Sequence, residues 1–483
     1  MMFGSNGLPV RLRLPKRIVF RKWTIPECVG GKEAAQTQRK NPAAHPEPVA
    51  LEESSSPLTM HLLHKHPTFV ASVLFLLIMS GPPKLRIRDP EASLHGDLDW
   101  VVILHVTVWV LAGLWVLLQM GKRFSAGHPL LRLRVPQILS LAMILGLASS
   151  TFVSDAPALT AFKVYQMLVA LLFTQIFVER FGAESTLKAI FWGSALLCMA
   201  IAICAFLAPD LVWTPSDFSW DPSRLRGDLI APSGVVSATV IILLLTSVRN
   251  RWRTFALFLL SLSLGLLALS LTRTAYAVAL ILFVVALLRH PNPRPLQHLA
   301  YILCAAGIVL YVSHLVPSLS EYRNPATISD LSGRMGLWHY LSTITLTHSP
   351  WFGLGYYSAS RILGLEYNAG LGTAHSVFFE VLVGAGVPSL LLLTALCLTL
   401  FVYVCRLLYG RKNRFSLAVS SLFIACVLFG CMGEELDSGP TAISFWYSVA
   451  VLPCLYEKFV KRAPQLAQAA SGMPVSAGLA HQS

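Results

Sequence analysis

The chain has 483 residues, 55% hydrophobic and 13% charged, with a formal net charge of +14. Soluble proteins carry about 25% charged residues, so the composition excludes an ordinary soluble domain and indicates an integral membrane protein, in keeping with a mean hydropathy of +0.62. The positive charge does not indicate a nucleic-acid partner, because most Lys and Arg stand in short segments between apolar runs, where they orient helices in a bilayer.

Residues 1–65 open with the basic run 11–22 and continue rich in Pro, Ala, Glu and Ser. They lack an apolar core of signal-peptide length and read as a disordered cytoplasmic tail. Met60 offers a second possible start. From there the apolar runs predict an all-α, polytopic membrane protein of about 12 spans, near 67–82, 98–119, 136–152, 160–178, 188–208, 234–248, 254–271, 274–288, 298–315, 376–404, 415–432 and 441–457. The transmembrane domain covers 66–463, one large outer loop covers 316–375 between spans 9 and 10, and 464–483 is a disordered C-terminal tail. Alternate loops hold 18 Lys and Arg in one family, Lys122 to Arg462, against nine in the other, Lys84 to Arg361. The richer family belongs in the cytoplasm together with both termini. The loop 82–97, with Lys84, Arg86 and Arg88, runs against that rule.

The nine cysteines form no CxxC pair or Cys/His cluster, and most lie inside apolar runs, among them Cys198, Cys204, Cys304, Cys397 and Cys426. They read as small buried residues and give neither a disulfide frame nor a metal site. Asp97-Leu98-Asp99 has the D-x-D spacing that some glycosyltransferases use to hold a divalent cation, but three-residue patterns arise readily by chance.

Several polar elements fall on the outer side. Arg224 and Arg226 precede Gly227 just before the sixth span. Guanidinium forks there suit phosphate oxygens, and the alternative is snorkelling or pairing with Asp221 or Asp228. Arg273 interrupts an apolar stretch long enough to cross twice, which puts it at an outer turn, as an anion ligand or simply as the turn's marker. In the large loop, Ser332 can cap a helix beginning near Arg334, with Leu337, Trp338, Leu341 and Ile344 along one apolar face. His348-Ser349-Pro350 stops it, and 353–357 (GLGYY) supplies flexible backbone for a turn. His375 then opens the tenth span, five residues before Glu380, as a structural or a catalytic histidine. The acidic segment 433–439 balances these arginines, binds substrate or is simply a solvated turn.

In this order, over roughly 200–435, the elements resemble the O-antigen ligase and polymerase superfamily of bacterial envelope glycosyltransferases. The resemblance rests on Arg224-Leu225-Arg226-Gly227, Thr272-Arg273, Gly333-Arg334 with Trp338, the turn His348-Ser349-Pro350 through Gly353 and Gly355, Ala374-His375-Ser376, and Gly384-Ala385-Gly386. The chain departs from the pattern at Ser376, where asparagine is usual, at Ala231-Pro232-Ser233, and at Ser349, which is inserted before Pro350. Such a protein would be a metal-independent glycosyltransferase in the bacterial inner membrane, without a cofactor. It would move a glycan from undecaprenyl diphosphate to a hydroxyl of lipid A core or of a growing polysaccharide at the periplasmic face. The resemblance assigns Arg226, Arg273 and Arg334, with Arg224 beside them, to the donor diphosphate and His375 to the acceptor hydroxyl. A transporter or flippase for lipid-linked glycans is the competing expectation, and the lack of an internal sequence repeat weighs against it.

Overall fold

The structure, a computed structural model, describes residues 67–79, 99–127, 129, 133–214, 224–225, 250–270, 278–282, 284–285, 334–367, 373–409, 413–432, 436 and 439–461. The two tails and the expected spans 234–248 and 298–315 lie outside them. The expected span 274–288 is described in part, as helix at 278–282.

The regular secondary structure of the described residues is helical apart from one two-residue ladder. The main helices are α1 (Pro67–Met79), α2 (Trp100–Ser125), α3 (Val135–Ser149), α4 (Pro157–Phe181), α5 (Ala183–Leu207), α6 (Asn250–Ser270), α7 (Arg334–His348), α8 (Ser358–Tyr367), α9 (Val377–Tyr409), α10 (Arg414–Met432) and α11 (Gly439–Tyr456). Strands β1 (Trp213–Thr214) and β2 (Arg224–Leu225) pair antiparallel. Five of these helices, α2 to α5 and α9, with the 3-10 turn Ser150–Val153 continuing α3, are long and apolar enough to cross a bilayer, and the protein is a multi-pass membrane protein.

Almost every side chain of α11 is buried, so this helix forms the centre of the bundle. Around it, α10 and α4 pack closely, and α3 lies along α9. Hydrocarbon gives little hydrophobic drive between spans, so close packing and interhelical hydrogen bonds hold them. The Tyr447 hydroxyl donates to the Ala183 carbonyl at 2.7 Å and the Gln137 amide to Val449 at 3.0 Å, while the Trp446 indole donates to Leu436, in the connection before α11, at 2.9 Å. By contrast α2 exposes Leu104, Leu111, Leu114, Leu117 and Leu118, a face suited to lipid.

The bundle has two different ends. One carries Arg134 against Glu457 at 3.1 Å, Arg180 on Gln119 at 2.7 Å, and Arg406 on the Tyr456 hydroxyl. These arginines are among those expected in the cytoplasmic loops. The other end carries the 3-10 turn, the start of α4, and α7 and α8. The large expected loop thus holds two helices, and the start of α7 at Arg334 and its end at His348 fall where the sequence places them.

Candidate functional site

The span expected as the tenth is not the single helix predicted over 376–404. Inside α9 the backbone leaves helical geometry at Ala385 (φ −138°, ψ 15°) and Gly386 (φ 75°, ψ −173°). The cause is Pro388. Proline has no N–H, so the carbonyl four residues earlier, that of Gly384, loses its helical partner. The turn after α7 supplies the replacement. Gly355 N–H donates to the Gly384 carbonyl at 3.0 Å, Leu354 N–H to Val383 at 2.8 Å, and Val387 N–H donates outward to Pro350 at 2.8 Å. All three backbone groups at the break are therefore satisfied by one loop, as buried backbone requires.

This docking needs glycine on both sides. Gly353 has φ +68°, and an added Cβ would sit 2.4 Å from the Ala385 nitrogen. Gly386 has φ +75°, and its Cβ would meet the Pro350 carbonyl oxygen at 2.5 Å. The segment expected to be a flexible turn is thus fixed against a transmembrane helix. Hydroxyls tie it to the α3–α4 connection as well. Ser150 Oγ accepts from Tyr356 N–H at 3.1 Å, Thr160 donates to the Tyr356 carbonyl at 3.0 Å, and Ser154 and Ser358 lie 2.9 Å apart.

Beyond the turn stands a cluster of buried charge. Lys163, 8% exposed and in the second turn of α4, places Nζ 3.8 Å from the centre of the Tyr357 ring. The Arg361 guanidinium lies 3.0 Å from the same ring centre. Arg361 also donates to the Tyr357 carbonyl at 2.9 Å and approaches Glu380 at 3.5 Å. Ser360 Oγ donates to Glu380 Oε1 at 2.7 Å. Lys163 escapes a sequence reading built on loops, because it sits inside an apolar span. An ionisable residue within a span is itself the signal that could have found it.

His375 stands two residues before α9, half-buried, with a left-handed backbone (φ 50°). Its neighbour Ala374 is held by α7, since the Trp338 indole donates to the Ala374 carbonyl at 2.7 Å and stacks on Phe379 at 4.8 Å and 10°. Beneath them Leu337, Leu341, Ala359, Ala374 and Val383 form a small apolar core. The buried stripe of α7 is Leu337, Leu341 and Thr345. The expected Ile344 is only half-buried. Arg334, also half-buried, stands four residues before Trp338 on the same helix face. Lost hydration, with Glu366 3.5 Å away, pushes the Tyr340 phenol above its usual range.

The structure therefore brings the elements bearing Arg334 and His375 together. Of Arg224 it describes only the backbone, paired with Thr214, while Arg226 and Arg273 lie outside the described residues. So do Asp97, the Ser332 cap and most of the acidic segment 433–439. Asp99 has a structural task as the N-cap of α2, its carboxylate accepting the Val102 N–H at 2.9 Å. Among the described residues no group of three or more His, Cys, Asp or Glu is placed to hold a metal ion.

Comparison with curated proteins gave no match. In comparison with family models, residues 257–394 match the family described as O-antigen ligase. That segment contains Arg273, Arg334, Trp338, His375 and the broken start of α9, and it leaves out Arg224 and Arg226. The order of motifs and the family match agree, and the chain is a multi-pass membrane protein whose segment 257–394 is similar to the family described as O-antigen ligase.

Proposed function

We propose that this protein is a glycosyltransferase of the O-antigen ligase and polymerase type in the bacterial inner membrane. It transfers a glycan from undecaprenyl diphosphate to a hydroxyl of lipid A core or of a growing polysaccharide, at the periplasmic face. The observation that carries this reading is the Trp338–Ala374 hydrogen bond, which joins the Arg334 helix to the His375 helix start inside the family segment.

The chemistry suits these residue types. His375 accepts the proton of the acceptor hydroxyl. The hydroxyl oxygen attacks the anomeric carbon, the bond from that carbon to the diphosphate oxygen breaks, and the electron pair leaves with the lipid diphosphate. Positive charge develops on the sugar as it does in other glycosyl transfers. Arg226, Arg273 and Arg334, with Arg224 next to them, neutralise the departing diphosphate. Fixed cations aimed at developing charge can take the place of a metal ion there.

The test uses purified full-length protein in lipid vesicles with a lipid-diphosphate glycan and candidate acceptors. Transfer is expected from the wild type and lost in His375→Ala while donor binding persists. Arg334→Lys keeps the charge but loses the guanidinium fork, so it should weaken donor binding and transfer together. Movement of the donor across the bilayer without product would instead establish a transporter.

A further inference from the structure

Among the described residues, Tyr357 (φ 71°) and His375 (φ 50°) are the non-glycine residues with left-handed backbone. Such conformations persist only where their surroundings over-determine them, and they gather at functional sites. Here one chain of contacts joins the two. Arg361 donates to the Tyr357 carbonyl at 2.9 Å and reaches Glu380 at 3.5 Å. The Glu380 N–H in turn donates to the carbonyl of Ser376, the residue after His375, at 2.8 Å.

The break at Ala385 and Gly386 gives this chain its importance. The helix carrying His375 at its head is only the short half 377–384, and the long half beyond Pro388 does not fix its rotation. The docked turn holds its far end through the Val383 and Gly384 carbonyls, and the side chains that the short half grips hold the end next to His375. On one side Phe379 stacks on Trp338. On the next side the Glu380 carboxylate, 5% exposed, is held by Ser360 at 2.7 Å and by Arg361. Two neighbouring side chains thus clamp the half-helix to α7 and to α8.

We infer that Glu380 and Arg361 are positioning residues for His375: they lock the half-helix 377–384 against α8, and so aim the imidazole at the acceptor hydroxyl. The inference rests on the reading of His375 as the acceptor base. Bulk stability does not require such a pair, because well-packed apolar residues often replace a buried ion pair without loss. A base displaced by about 1 Å can cost about 100-fold in rate.

The experiment compares kcat, donor KM and donor binding per folded protein for Glu380→Ala, Glu380→Gln, Arg361→Gln and His375→Ala in vesicles. Glu380→Ala and Arg361→Gln should lower kcat by about 10- to 100-fold with donor KM and binding unchanged. Glu380→Gln still accepts from Ser360 and should recover much of the loss. Should Glu380→Ala fail to fold, Ser360→Ala, which removes only the 2.7 Å bond, is expected to show the same kcat loss in milder form. Wild-type kcat in these variants, with His375→Ala inactive, would overturn the positioning role and leave the proposed reaction standing. Wild-type transfer by His375→Ala would remove the base and the inference together. Equal losses in donor binding and kcat would place Glu380 in donor binding and equally overturn the inference.

Discussion

Trp338 and Ala374 are 36 residues apart in the chain and share one hydrogen bond of 2.7 Å, from indole N–H to carbonyl oxygen. The carbonyl belongs to the residue before His375, so α7 grips the histidine's backbone from outside its own helix. Trp338→Phe would keep an aromatic partner for Phe379 and remove the donor. Loss of one such bond costs about 1 kcal/mol. The variant is expected to remain folded, with a small drop in melting temperature and a larger loss of transfer rate. A rate loss no greater than that of an unrelated variant of equal stability would show that the bond only braces the loop.

The break in α9 makes a prediction with an internal control. Gly353→Ala forces a Cβ against the Gly384–Ala385 peptide at 2.4 Å in a left-handed backbone. The conformation alone costs about 1–3 kcal/mol, and the overlap adds to it. Gly121 lies within α2, and an added Cβ there meets nothing within 4 Å. Gly121→Ala should be neutral or stabilising by up to about 1 kcal/mol. Folded yield and melting temperature in detergent check both, and similar values for the two variants would remove the docked turn as a structural requirement.

The same element shows what a sequence can reveal and what it hides. The helix at Arg334, its stop at His348 and the helix after His375 follow from proline and apolar spacing, which are local causes. The break at Ala385 was equally written in Pro388 and Gly386, but the apolar run is continuous through both, so hydropathy reads one span. What completes the break is a loop 30 residues earlier whose N–H groups replace those that proline removes, and no local rule names that partner. Lys163 was hidden differently: one lysine does not interrupt an apolar run, and the Tyr357 ring over which it sits comes from another helix. Arg334, Trp338 and His375 were legible as site candidates because polar residues at the mouth of a bundle stand out. Arg361 and Glu380 acquire meaning only from their contact.

Asp99 separates a structural from a metal-binding role. Its carboxylate caps α2, so Asp99→Ala should cost about 0.5–2 kcal/mol of stability. Asp99→Asn retains an acceptor oxygen and should cost little. Transfer by the wild type is expected to survive a chelator, because the proposed clamp is made of arginines. Loss of transfer in the chelator, restored by a divalent cation, would contradict that clamp.

The last prediction concerns which way the bundle faces. Arg134 stands at the entry to α3 and pairs with Glu457, whereas Ser150, just past its end, binds the Tyr356 turn. With 15 residues in α3 and about 1.5 Å of rise for each, the two ends lie roughly 22 Å apart before the 3-10 turn is added. That is most of the apolar thickness of a bilayer. Arg134, Arg180 and Arg406 therefore share the end opposite His375, and the excess of Lys and Arg predicts that their end faces the cytoplasm. Reporters fused after residues 225, 345 and 436 should all read outside, and one fused after residue 411 should read inside. The fusion at 345 lies within α7 and is the decisive one. A cytoplasmic signal there would put Arg334 and His375 on the wrong side for a donor presented at the periplasmic face, and would overturn the proposed reaction at that face.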